Sequence, residues 1–141
     1  MNAALVDTGP LVALFVRDDP DHARVSAWLR GFRGRLLATW PVLTEVCHFL
    51  TPEVVPRFLR WIEAGGAAVI EVPPEELAEI IGTMTKYLDR PMDLADASLV
   101  WQAGRSSVRD ILTVDKGDFV VFRTPQGKAF KDVLATRGPA R

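Results

Sequence analysis

Four short, almost unbroken apolar runs, Asn2 to Val6, Arg35 to Thr39, Ala67 to Val72 and Ile111 to Val114, are set apart by longer stretches in which apolar residues recur three or four positions apart. A strand with one wet face alternates apolar and polar residues. A continuous apolar strand is buried on both faces, the situation of a parallel sheet covered by helices. The chain therefore predicts an α/β fold of three layers: a parallel sheet of four to five strands with helices on both faces. Phe119 to Phe122 reads as a short fifth strand.

The intervening helices have identifiable faces. Leu11, Leu14 and Phe15 follow Pro10, which suits an early helical position. A helix from about Pro20 to Phe32 turns Val25, Trp28, Leu29 and Phe32 inward, and the next does so with Val42, Val46 and Phe49. Val55, Phe58, Leu59 and Ile62 form the inner face of a helix that Gly65-Gly66 stops. Pro73-Pro74 opens a helix to about Leu88 with Leu77, Ile80, Ile81 and Met84 on one side, and Asp93 to Ala103 forms the last long one. Trp28, Trp61 and Trp101 fall on apolar faces, whereas Trp40, ahead of Pro41, is expected to be exposed. The stretch from Arg123 to Arg141 reads as a modest basic patch, part helix and part loose end.

At 141 residues the chain fits one domain, residues 1–141, since domains run to ~100–200 residues. Seventeen basic against 18 acidic side chains leave a net charge of −1, which excludes a binder that holds nucleic acid by bulk positive charge and an acidic disordered tail. The single cysteine, Cys47, excludes an internal disulfide and suits a reducing compartment. Asp7 interrupts the apolar N-terminal stretch, no basic segment precedes it, and no window approaches the ~18 apolar residues of a membrane span, so a soluble, cytoplasmic protein is expected.

The placement of a few carboxylates carries the functional signal. Asp7 and Asp115 each follow a predicted strand, at the end where open α/β sheets gather their ligands. Asp93 and Asp96 share a face at a helix start, and Glu45 sits at the edge of an apolar helical stripe. Each has a plainer explanation. Asp7 and Asp93 suit helix N-caps, Asp96 suits a first turn, Glu45 suits a solvated face, and Asp115 and Asp118 suit a turn. Four acids at strand ends and helix starts of one small sheet exceed what capping requires. Carboxylates that converge repel one another and demand a cation; an oxygen-only set suits Mg²⁺ or Mn²⁺ rather than zinc. Such a site can activate water and neutralise a phosphodiester.

Leu5-Val6-Asp7-Thr8-Gly9-Pro10, Thr44-Glu45-Val46, Met92-Asp93-Leu94-Ala95-Asp96-Ala97 and Leu112-Thr113-Val114-Asp115 with Asp118-Phe119, taken in order, resemble the PIN domain, and in particular the VapC-type ribonuclease toxins of type II toxin–antitoxin systems. The resemblance covers nearly the whole chain. It implies a PIN-like fold, Mg²⁺- or Mn²⁺-dependent cleavage of RNA that leaves a 5′-phosphate, a homodimer and a small cognate VapB-like antitoxin. By position it makes Asp7, Glu45, Asp96 and Asp115 the catalytic and metal-binding acids. Asp7 and Asp96 are the expected direct ligands, Asp115 completes the site or holds a second ion, and Glu45 acts through water. Asp93, an alternative third acid, Asp118 and Thr8 are accessory, and Thr8 and Thr113 orient the acids.

Other patterns compete less well. Asp7-Thr8-Gly9 also resembles the triplet of aspartic proteases, which are all-β, yet here a helical pattern follows directly. The Glu45/His48 pair has di-iron spacing without the second pair such sites need. A receiver-like phosphoacceptor at Asp115 lacks the acidic pair after the first strand. The alternative from another class is a non-catalytic PIN-like module that binds RNA or protein. His22 reads as a surface residue, His48 as packed against its helix neighbours, and Cys47 as an inert core thiol.

Overall fold

The computed structural model describes residues 2–115 and 117–135. Five strands, β1 (Ala3–Val6), β2 (Arg35–Thr39), β3 (Ala68–Ile70), β4 (Asp110–Leu112) and β5 (Lys131–Asp132), form one sheet in the order β3-β2-β1-β4-β5. Every pairing is parallel, with Leu5 opposite Leu37 on one side and Ile111 on the other. The expected α/β class holds, and β1, whose Leu5 and Val6 are fully buried, lies at the centre.

The helices are α1 (Thr8–Phe15), α2 (His22–Gly31), α3 (Trp40–Phe49), α4 (Val55–Glu63), α5 (Leu77–Lys86), α6 (Leu94–Ser106) and α7 (Asp118–Val121), with a 3₁₀ turn at Pro74–Glu76 ahead of α5. The chain steps from β1 to β2 in one direction across the sheet and from β3 back to β4 in the other. Right-handed crossovers in opposite directions place their helices on opposite faces, which gives the three layers. Beside β1 the strand order reverses, and the crevice beyond the carboxyl ends of β1 and β4 is where such sheets hold ligands.

A contiguous core fills the space between sheet and helices, with Phe58, Phe122, Leu5, Leu11, Leu99 and Ile111 among its fully buried side chains. Trp101 is buried as expected, and its indole N–H donates to Glu76 Oε1 at 2.9 Å. Trp28 and Trp61 pack against the core partly buried. Gly65, at φ +98°, ends α4 in a conformation that other residues rarely adopt.

Three expectations are corrected. The fifth strand is not Phe119 to Phe122: Phe119 lies in α7 and points inward, Phe122 follows it into the core, and the edge strand forms at Lys131–Asp132. Two inward aromatics in a row of four residues satisfy one helical turn as well as a strand, and packing decided between them. The same strand replaces part of the tail's expected helix, whose residues beyond 135, Arg137 and Arg141 included, lie outside the described residues. Phe49, Leu59, Leu77 and Ile81 face outward. On α3 the buried stripe runs through Val42, Leu43, Val46 and on to Leu50, so Phe49 falls beside it. On α5 only Ile80 is fully covered, because the stripe facing α6 is narrow.

Candidate active site

Asp7 ends β1 and caps α1. Its Oδ1 accepts from the Thr8 backbone N–H at 2.9 Å, and its Oδ2 accepts from the Thr113 hydroxyl at 3.1 Å. Its own N–H donates to Leu112 O at 3.0 Å, which carries the β1–β4 pairing one step past the strands. Asp7 is thus both N-cap and cleft acid; the two readings of the sequence coexist. Gly9 matters two residues on: a Cβ there would lie 2.5 Å from Val114 Cγ2, so the glycine lets the first turn of α1 close against the segment that follows β4.

The Thr8 hydroxyl donates to Glu45 Oε1 at 2.5 Å and ties α1 to α3. Thr113, the residue after β4, donates to Asp7 while accepting from the Asp115 backbone N–H at 3.1 Å. Asp115 Oδ1 accepts from the Gly117 N–H at 2.9 Å, the turn its spacing to Asp118 suggested. Asp93 caps α6 by accepting from the Asp96 N–H at 2.8 Å. Asp96, in the first turn of α6, is only partly exposed, and its carboxylate accepts no hydrogen bond among the described residues.

These groups line one cleft of about 560 Å³: Asp7, Glu45, Asp93, Asp96, Asp115 and Asp118, with Thr8 and Gly9 in its floor. Lining one cleft, they act on one another's titration. Burial, then the charges of Asp7, Asp93, Asp118 and Glu45, push Asp96 up to about 8. Asp7 is raised to about 6, chiefly by burial, with its two hydrogen bonds working against the rise and Asp115 and Glu45 adding to it. Glu45 is raised by burial and by Asp93, against the Thr8 bond and His48. Asp115 is lowered, first by the hydrogen bond from Asp118, while Asp118 is raised by the same contact.

The acids ring the cleft rather than meeting at one point: among the described residues no three His, Cys, Asp or Glu side chains stand close enough to grip a single ion. The donor set still fits a hard cation. It is all oxygen, strongly acidic, and contains in Asp96 a partly buried carboxylate that feels the charge of four others and accepts no hydrogen bond among the described residues.

Two further residues, one lining the cleft and one paired with a cleft acid, carry no sequence signal of it. Asp19 lines it from the loop after α1, where Arg17-Asp18-Asp19-Pro20 looks like any surface turn. Arg90, in the loop before α6, pairs with the cleft acid Asp118, its Nε 3.3 Å from Oδ1; Arg90-Pro91 signals only a helix end. Trp40 is exposed, as expected, and with Phe49, His48 and Leu94 walls an adjoining apolar hollow that shares Glu45 and Asp93 with the cleft. His48 is exposed and meets Phe49 edge-on. His22 is half-buried, its Nδ1 2.8 Å from Ala13 O.

A parallel α/β sheet in the order 3-2-1-4-5, with an acidic cleft at its switch point, is the architecture of a PIN domain, and the PIN-domain family profile matches residues 4–123: the chain belongs to that family. Within it the chain is similar to VapC-type proteins. It is 29% identical over 130 residues to the ribonuclease VapC26 of Mycobacterium tuberculosis, covering 89% of this chain and 96% of the relative. Its fold matches the crystal structure of VapC20 from the same organism, described as a toxin that cleaves the sarcin–ricin loop, with a TM-score of 0.75 at 14% identity over 82% of this chain and 92% of the other. Among the described residues no helix is long and apolar enough to cross a membrane.

Proposed function

We propose that this protein is a divalent-metal-dependent endoribonuclease and the toxin of a toxin–antitoxin pair. The observation that carries the reading is Asp96, a partly buried carboxylate facing four others and accepting no hydrogen bond among the described residues. Such a group is unfavourable by itself and favourable beside a cation. Asp7 and Asp96 would hold the ion, Asp115 would serve a second one, and Asp93 and Asp118 remain accessory. Mg²⁺ or Mn²⁺ bound there supplies a more acidic water and neutralises phosphate charge. The Thr8 and Thr113 hydroxyls fix Glu45 and Asp7 in place. Glu45, held toward its protonated form by burial and by Asp93, orients the attacking water. Attack at phosphorus breaks the P–O3′ bond and leaves a 5′-phosphate. The similarity to a ribonuclease along nearly the whole length of both chains supports RNA as the substrate.

The same reading brings a small antitoxin encoded beside this chain, a cytoplasmic site of action and a homodimer. Leu77 and Ile81 on α5 and Leu88 just beyond it are exposed and apolar, 43%, 60% and 71% accessible, a surface suited to a second copy. The test is incubation of a mixed RNA pool with the protein and Mg²⁺ or Mn²⁺. Wild type cleaves, and EDTA, Asp7→Asn or Asp96→Asn stops it. RNA left equally intact by all three proteins in both metals replaces this reading with the non-catalytic binding module.

A further inference from the structure

Arg90 is the one guanidinium hydrogen-bonded to an acid of the cleft among the described residues. It stands in the loop between α5 and α6, 43% exposed, and reaches Asp118 Oδ1 through Nε alone, at 3.3 Å. No acceptor among the described residues takes up its two terminal nitrogens. One of them lies where a side chain at Gly117 would begin, 2.7 Å from the position of a Cβ there, so the glycine opens the space that the guanidinium tip occupies. A cleft lined by seven carboxylates repels a phosphodiester, and a cation paired with one of them offsets part of that repulsion.

An ion pair held by one N–H, 3.3 Å long and open to solvent, contributes little to stability. The geometry instead leaves the forked end of the guanidinium unused, and that fork matches two oxygens of a phosphate. We propose that Arg90 is a phosphate-binding residue of this cleft, parked on Asp118 and gripping the RNA backbone through its terminal nitrogens when a strand is bound. This rests on the ribonuclease reading above. It adds a specific partner for the substrate's charge that the acids cannot supply.

The experiment measures binding rather than turnover. A fluorescein-labelled random 20-nucleotide RNA is titrated with Asp96→Asn protein in Mg²⁺ at several salt concentrations, with Arg90→Gln, Arg90→Lys or Arg105→Ala added. Arg105 carries the same charge at the far end of α6, paired with Glu76 at 2.9 Å, and controls for net charge. Arg90→Gln is expected to weaken binding about tenfold, the loss of a charge-assisted contact. It also flattens the slope of log K against log salt by about 0.7, one phosphate contact on a single strand. Arg90→Lys keeps the slope and loses part of the affinity, because an ammonium neutralises a phosphate without the fork. Arg105→Ala leaves both unchanged. An unchanged slope in Arg90→Gln, or an equal change in Arg105→Ala, overturns the proposal. If Asp96-intact protein still cleaves RNA in that case, the ribonuclease reading stands and only the role of Arg90 falls.

Discussion

Thr113 donates its hydroxyl to Asp7 Oδ2 across 3.1 Å, joining residues 106 apart in sequence at the crevice between β1 and β4. The Thr113 hydroxyl oxygen in turn accepts from the Asp115 N–H, so one buried side chain sets the positions of two cleft acids. Thr113→Val keeps the shape and removes both bonds. The expected cost is about 1–3 kcal/mol in urea unfolding, the desolvation of partners left unsatisfied in a buried place. Asp7 also loses one of the two bonds that oppose its rise, so its titration, followed by carboxyl carbon NMR, moves above its wild-type value of about 6. An unchanged titration excludes the bond from any role in tuning the acid.

The pH dependence of stability has a definite sign. Asp7 and Asp96 titrate in the fold at about 6 and about 8, against an ordinary 3.8. Between pH 4 and 8 the folded protein therefore binds more protons than the unfolded chain, and the free energy of unfolding falls as pH rises. Glu45 and Asp118, also raised, act in the same direction, while Asp115, lowered, acts below that window. In EDTA the protein should melt higher at pH 5.5 than at pH 8. Asp96→Asn should remove most of the slope above pH 6. A flat or rising profile through this range contradicts the crowding of the acids.

Neutralising an acid or adding a cation should act alike on the fold and oppositely on activity. Asp7→Asn in EDTA at pH 8 is expected to gain about 1–3 kcal/mol, the worth of a carboxylate held about two units above its ordinary value. Wild type should gain about 2.7 kcal/mol when Mg²⁺ is present at a hundred times its dissociation constant. Asp96→Asn should show a higher melting temperature in EDTA, a blunted response to Mg²⁺ and no cleavage. Calorimetry that finds no metal response in wild type and a lower melting temperature in the variant removes the shared cation site.

Gly9→Ala places a methyl group 2.5 Å from Val114 Cγ2. Valine is short and cannot swing clear, so overpacking of about 1–3 kcal/mol is expected, with α1 pushed away from the strand end that carries Asp7. Val114→Ala in the same chain removes the obstructing atom and should return most of the stability. If Gly9→Ala alone is neutral by urea unfolding, the close approach of α1 to Val114 is not a constraint on the cleft.

How much of this was legible beforehand depends on the residue. Asp7, Asp93 and Asp115 could be placed because strand ends and helix starts are local signals: an apolar run stops and a capping residue follows. Glu45 was placed on α3, but nothing in its neighbourhood announced that Thr8 would hold it. Phe49 was misplaced because a helical period of 3.6 lets the buried stripe drift, and Leu50 took the inner position. Arg90 and Asp19 were missed because their sequence surroundings are those of ordinary loop ends.

The amino-acid order by itself determined which segments could be buried strands and which acids would stand at their carboxyl ends, since burial on two faces and helix capping are written in neighbouring residues. Only the tertiary structure decided that β1 lies between β2 and β4, that the edge strand is Lys131–Asp132, and that α6 swings Asp96 in to face Asp7. Strand pairing and helix docking are settled by contacts between segments a hundred residues apart, and no local periodicity carries that information.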